Sequence, residues 1–116
     1  MNTSSFKKYL AGGGTNGVSI ALTSMKGFHG PKYPKLFPRW AYISEYKRTG
    51  DTQVYTRCYN TYILSKLDPE KVWEDLKDCT LLCWELSGGP SGKFFCHRRL
   101  VATWLEKALG VVVPEI

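Results

Sequence analysis

The sequence predicts a single α/β domain, a small and mostly parallel sheet flanked by helices. Three observations carry that prediction. The chain has 116 residues, enough for one modest core. Short β-branched or apolar runs alternate with longer segments of helical periodicity, in the order strand, helices, strand, helix, strand. Glycine and proline clusters separate these segments, where regular backbone is hardest to continue.

The elements follow in order. Residues 4–10 fit one or two helical turns, ended by Gly12-Gly13-Gly14. Residues 18–23, VSIALT, fit a short strand buried on both faces. Residues 26–38, KGFHGPKYPKLFP, hold three prolines and two glycines, which exclude regular structure and predict a long loop. Pro38 then suits the first turn of a helix over 39–47. Residues 52–66 place Val54, Tyr55, Cys58, Tyr59, Tyr62 and Ile63 at three- and four-residue spacing, one apolar stripe of a helix. Asp68 is a good cap and Pro69 a good first residue for a helix over 69–77, with Val72, Trp73 and Leu76 inward. Residues 80–85, TLLCWE, are apolar nearly throughout and predict the second strand. Residues 87–93 are a loop. A last helix spans 96–109, with Leu100, Val101, Trp104, Leu105 and Ala108 inward and Gly110 as its stop. Val111-Val112-Val113 is expected to add a third strand, ended by Pro114.

Hydrophobic residues at 43% and charged residues at 22% describe an ordinary globular chain. No stretch approaches the roughly 20 apolar residues that span a bilayer, so no membrane partner is expected. The first residues lack the apolar centre of a secretory signal. Both observations predict a cytoplasmic protein, and therefore reduced Cys58, Cys79, Cys83 and Cys96. The net charge of +6 favours an anionic partner. It is uneven, since residues 26–48 carry six of the basic residues against the single acid Glu45.

In an open α/β sheet, ligands sit at the strand carboxyl ends, beside helix N-termini. Here those ends are Thr23-Ser24-Met25-Lys26 and the segment from Glu85 to Cys96. The strongest constellation is Cys96-His97-Arg98-Arg99 at the last helix start. A helix N-terminus and guanidinium groups together favour a phosphate or another anion. The same field favours a thiolate on Cys96, with His97 as base or donor. The competing reading makes Cys96 a small buried cap and the arginines solvated. Glu85 could hold a hydroxyl or pair with Arg98. The 26–38 loop is expected to fold over the site, with Lys26, His29, Lys32 and Lys35 adding charge and Tyr33, Phe37 or Trp84 stacking on a ring. The competing reading is a solvated basic loop.

Zinc is disfavoured. Cys79, Cys83, Cys96 and His97 have poor spacing, and His97 directly after Cys96 is not expected to converge with it on one ion. Neither metal nor cofactor is expected. Gly12-Gly13-Gly14-Thr15-Asn16-Gly17 precedes a strand, the wrong order for a phosphate-binding loop. With only His29 and His97 present, no Ser/His/Asp triad is indicated.

Leu81-Leu82-Cys83-Trp84-Glu85, followed by Phe95-Cys96-His97-Arg98 and a helix with Val101, Ala102, Trp104 and Leu105, resembles the family called "domain of unknown function 488". The resemblance spans residues 17–110 and is specific over 81–105. It departs at the first strand end, where Leu22-Thr23-Ser24-Met25-Lys26 stands in place of a Thr-Ile-Gly-His-Ser-like run. The resemblance implies an α/β fold and a site at the Cys-His-Arg helix start, without an activity.

Three functional classes remain open on the sequence. The leading one is binding of a nucleotide-like or other phosphate-bearing molecule, with Arg98 and Arg99 on phosphate, Glu85 on a hydroxyl, and Ser24, Lys26, Lys35, Tyr33 and Trp84 around the ligand. Such a protein would act as a sensor, or as a sponge for a signalling nucleotide of the kind phages use against host defence. The second is an enzyme with Cys96 as nucleophile and His97 or Glu85 moving protons. The third, ranked last, is nucleic-acid binding by the basic 26–48 segment, which shows no recognised binding motif. A homo-oligomer is compatible with all three.

Overall fold

The computed structural model describes residues 1–84 and 95–116. Along the chain run β1 (Asn2–Ser5), α1 (Phe6–Leu10), β2 (Gly17–Ser19), α2 (Trp40–Thr49), α3 (Thr52–Tyr62), α4 (Pro69–Leu76), β3 (Thr80–Cys83) and α5 (His97–Leu109), with 3₁₀ turns at Pro34–Leu36 and Leu64–Lys66. The three strands form a parallel sheet in the order β1-β3-β2. The α/β class read from the sequence is therefore the observed one. Among the described residues no helix is long and apolar enough to cross a membrane.

All four residues of the central strand β3 are buried. Leu81 joins the main core with Ile20, Tyr59, Val101 and Leu105, while Leu82 joins Phe6, Ala21 and Phe28. Apolar side chains on both faces are what a middle strand of a covered parallel sheet requires. The helices begin and end where their caps dictate. Asp51 and Asp68 accept the first N–H groups of α3 and α4. Gly50 and Gly110 close α2 and α5 in the left-handed conformation (φ 72° and 68°), where a Cβ would be strained.

The amino end corrects the sequence reading. Residues 4–10 are predicted helical, yet Asn2–Ser5 is a strand and the helix starts only at Phe6. Thr3, Ser4 and Ser5 are fully buried, and hydroxyl bonds compensate their burial. The Thr3 Oγ1 donates to Glu115, Ser4 Oγ donates to the Ile116 carbonyl, and Ser5 Oγ caps α1 by accepting from Lys8 N–H. A polar strand of this kind carries no hydrophobic pattern. The expected third strand at 111–113 is also displaced. The tail instead bridges β1 two residues later, through Thr3 N–H to the Pro114 carbonyl (2.9 Å) and Ile116 N–H to the Thr3 carbonyl (2.8 Å). The strand expected over 18–23 stops at Ser19, although Ile20 N–H still reaches the Leu82 carbonyl at 3.0 Å.

Two arginines fasten the start of α5 to this sheet edge. Arg98 is completely buried. Its Nε and Nη2 grip the Glu115 carboxylate at 2.8–3.2 Å, and Nη1 donates to Cys83 Sγ at 3.2 Å. Arg99 Nη1 donates to Thr3 Oγ1 (2.7 Å) and to the Val113 carbonyl (2.9 Å). Burial alone would raise the Glu115 carboxyl pKa. The Arg98 and Thr3 hydrogen bonds and the charges of Arg98 and Arg99 outweigh burial and hold it below the usual carboxylate range.

Replacing Glu115 by alanine removes the carboxylate from a buried guanidinium. We expect a loss of about 3 kcal/mol in urea unfolding, at the low end for buried pairs because Glu115 keeps 27% of its side-chain surface exposed. The double variant Arg98→Met/Glu115→Gln removes both charges and is expected to cost less than Glu115→Ala alone. The folded carboxyl pKa is depressed, so the unfolded chain takes up the proton first. The pair's contribution is complete above about pH 4.3 and is lost as the pH falls below that value. Glu115→Gln is expected to flatten this acid limb of the stability profile.

Candidate functional site

A cavity of about 440 Å³ lies at the carboxyl ends of β2 and β3, against the start of α5. On the sheet side, three parts of the chain build it. Ala21, Leu22 and Thr23 follow β2; Cys83 ends β3 and Trp84 follows it; Phe95 and Cys96 lead into α5, which His97 opens. The facing wall comes from α2 and α3, through Trp40, Ile43, Tyr46, Lys47 and Tyr55, with Pro38 before them. This is where parallel α/β sheets place their ligands, because strand ends and helix N-termini meet there.

The aromatic wall is held by ring contacts. Phe95 packs on Tyr46 and Tyr55 with both centroid distances 5.1 Å. Trp40 is 61% exposed, with the Lys47 ammonium 5.9 Å from its ring centre. Trp84 is anchored by Nε1 donating to the Thr23 carbonyl at 2.6 Å and by an edge contact to Phe6.

The floor is polar and buried. Cys96 is the extended N-cap of α5 (φ −153°, ψ 143°) and makes no side-chain cap bond. His97 Nε2 lies 2.7 Å from the Ile20 carbonyl. A carbonyl only accepts, so Nε2 carries the proton and Nδ1 keeps its lone pair. That Nδ1 faces Cys96 Sγ at 3.9 Å. Burial pushes the His97 pKa down to about 4; the Ile20 bond opposes this and the Arg98 charge adds to it. The imidazole is therefore neutral at physiological pH.

Cys83 and Cys96 bring their Sγ atoms into contact, 13 residues apart in the chain. The sequence predicts four separate reduced thiols, so this pairing is new. The Cα atoms are 7.2 Å apart, beyond the roughly 4.4–6.8 Å that a disulfide usually spans. Arg98 Nη1–H donates to Cys83 Sγ, and Cys96 stands at the start of α5. Cys58 and Cys79 are half-buried elsewhere and remain free.

Of the residues singled out in the sequence, Cys96, His97 and Trp84 line the cavity, together with Cys83. Others are placed differently. Arg98 and Arg99 are committed to Glu115, Cys83, Thr3 and Val113, so neither guanidinium lines the cavity. The Tyr33 hydroxyl donates to Asp75 at 2.7 Å, away from the cavity, and its pKa is pushed up to about 12 by burial and by Asp75. Lys35 is exposed in the 3₁₀ turn on that same side, where its charge helps to lower the Asp75 pKa. Ser24 has a buried Oγ and lies off the lining, and Lys26 is exposed on a turn. The 26–38 segment does not fold over the site as a lid. It returns beside β2, with Tyr33 N–H on the Ser19 carbonyl and Ser19 N–H on the Pro31 carbonyl, both 2.9 Å, and only Pro38 reaches the cavity. Glu85 lies outside the described residues.

Sequence reasoning missed the α2 wall, Trp40, Ile43, Tyr46 and Lys47. Their signal was the three- to four-residue spacing along that helix, which is the same signal an ordinary core face gives. No protein-family model, curated protein or solved structure matches the chain.

Proposed function

We propose that the cavity binds a small planar molecule bearing an acidic group, a nucleotide-like ligand, with its ring against the aromatic wall and its anionic group toward Lys47 and the start of α5. One observation carries this reading: an aromatic-walled cavity ends on a helix N-terminus that Cys96 leaves without a side-chain cap. Lys47 supplies the full positive charge, in place of the arginines that the sequence suggests. A binder of this size would serve as a sensor or as a sequestering protein.

Calorimetry against a panel of mononucleotides, cyclic nucleotides and ADP-ribose derivatives tests the reading. Lys47→Ala is expected to weaken binding about tenfold through loss of one charge-assisted hydrogen bond. Trp40→Ala is expected to weaken it by a similar factor through loss of stacking. Absence of binding across the panel, or binding indifferent to both changes, overturns the proposal.

The second reading makes Cys96 a nucleophile. It is favoured by the cavity-facing sulfur pair and by the place of Cys96 at the start of α5. Alkylation of the fully reduced protein, followed against pH with the modified site mapped by mass spectrometry, is expected to place the midpoint for Cys96 below the roughly 8.5 of a free thiol. A midpoint at or above that value assigns the cysteine a structural role.

A further inference from the structure

We propose that Cys83, Cys96 and His97 form a metal site for a tetrahedral, thiophilic divalent cation such as zinc, with its fourth position open to the cavity. The inference uses the same cavity as the ligand reading but does not depend on that ligand. The two sulfur atoms and one ring nitrogen all lie within 4.8 Å of one another, and all three residues are buried. Tetrahedral zinc with two thiolates and an imidazole needs donor separations of about 3.5–3.8 Å, from bond lengths near 2.3 Å to sulfur and 2.0–2.1 Å to nitrogen. The Nδ1 to Cys96 distance of 3.9 Å is already close to that. The sulfur atoms must part to reach that separation, and the 7.2 Å between their α-carbons leaves room for it.

The surroundings match those of metal ligands. His97 is locked by its Nε2–H bond to the Ile20 carbonyl, which leaves Nδ1 as the donor atom. Cys83 accepts an N–H from Arg98, the usual support of a ligating thiolate. Only three protein ligands converge among the described residues, and all three line the cavity. Three ligands and an open side describe a site that takes water or a ligand atom in its fourth position. On binding, two thiols release their protons to solvent and no electron is transferred. The donor set is thus legible only in three dimensions, because β3 supplies Cys83 from 13 residues before Cys96.

Cobalt(II) titrated anaerobically into the reduced full chain tests the site. We expect one equivalent to give thiolate-to-cobalt charge-transfer absorption and the visible bands of tetrahedral cobalt, and zinc to displace it. Cys83→Ser and Cys96→Ser are each expected to abolish the charge-transfer band or weaken binding by at least ~100-fold, while Cys58→Ser/Cys79→Ser leaves it unchanged. His97 is part of the folded core, so its role is read instead from zinc-edge X-ray absorption of the unaltered protein. Two sulfur neighbours near ~2.3 Å and at least one nitrogen near ~2.0 Å are expected. Absence of the band after reduction, a band that survives both cysteine changes, or a shell without sulfur overturns the site. If nucleotide binding fails while these signatures appear, the ligand reading falls and the metal site stands.

Discussion

The fully buried guanidinium of Arg98 is the constraint on which the rest of the structure depends. A charge without solvent must be met by partners on every side. Glu115 meets the Nε and Nη2 groups of the fork and Cys83 Sγ meets Nη1. To supply them, the tail must lie along β1 and β3 must end beside the first turn of α5. Arg99 repeats the device one residue later through Thr3 and the Val113 carbonyl. The polar strand β1 is then tolerated in the interior, because its hydroxyls and backbone groups are consumed by the same network.

This arrangement shapes the site without entering it. With the two guanidinium groups engaged at the sheet edge, the described residues of the cavity floor are a sulfur pair and a neutral imidazole at the positive end of a helix. His97 is fixed from below by the Ile20 carbonyl and flanked by the Tyr59 ring at 5.4 Å. Rings from α2 and α3 form the wall. Among the described residues, a ligand would meet an aromatic face, the exposed ammonium of Lys47 and a cluster of soft donors.

Much of the fold was legible in the residues. Capping aspartates, Pro69 and the closing glycines mark the helix ends because the orphan N–H and C=O groups there demand particular residues. The apolar run 80–83 marks a covered central strand because it lacks a polar face. What was not legible shares one property: its residues are explained by distant partners. Asn2–Ser5 has no strand pattern, and its burial depends on Glu115, Arg99 and the tail. Pro31 to Tyr33 reads as irregular loop, yet it pairs with Ser19. For the site, Cys96 and His97 could be located from their place at a helix start, whereas the roles of Arg98 and Arg99 could not.

By itself, then, the sequence determined the α/β class, the helices, the middle strand and the start of the last helix at Cys96, since each rests on local periodicity, capping or turn chemistry. The tertiary structure alone decided which way the arginines face, which cysteine meets Cys96, and which helix walls the cavity. Those outcomes depend on pairing across 13 to 112 residues of chain. Electrostatic satisfaction in a buried space is a property of the assembled whole, and no local pattern records it.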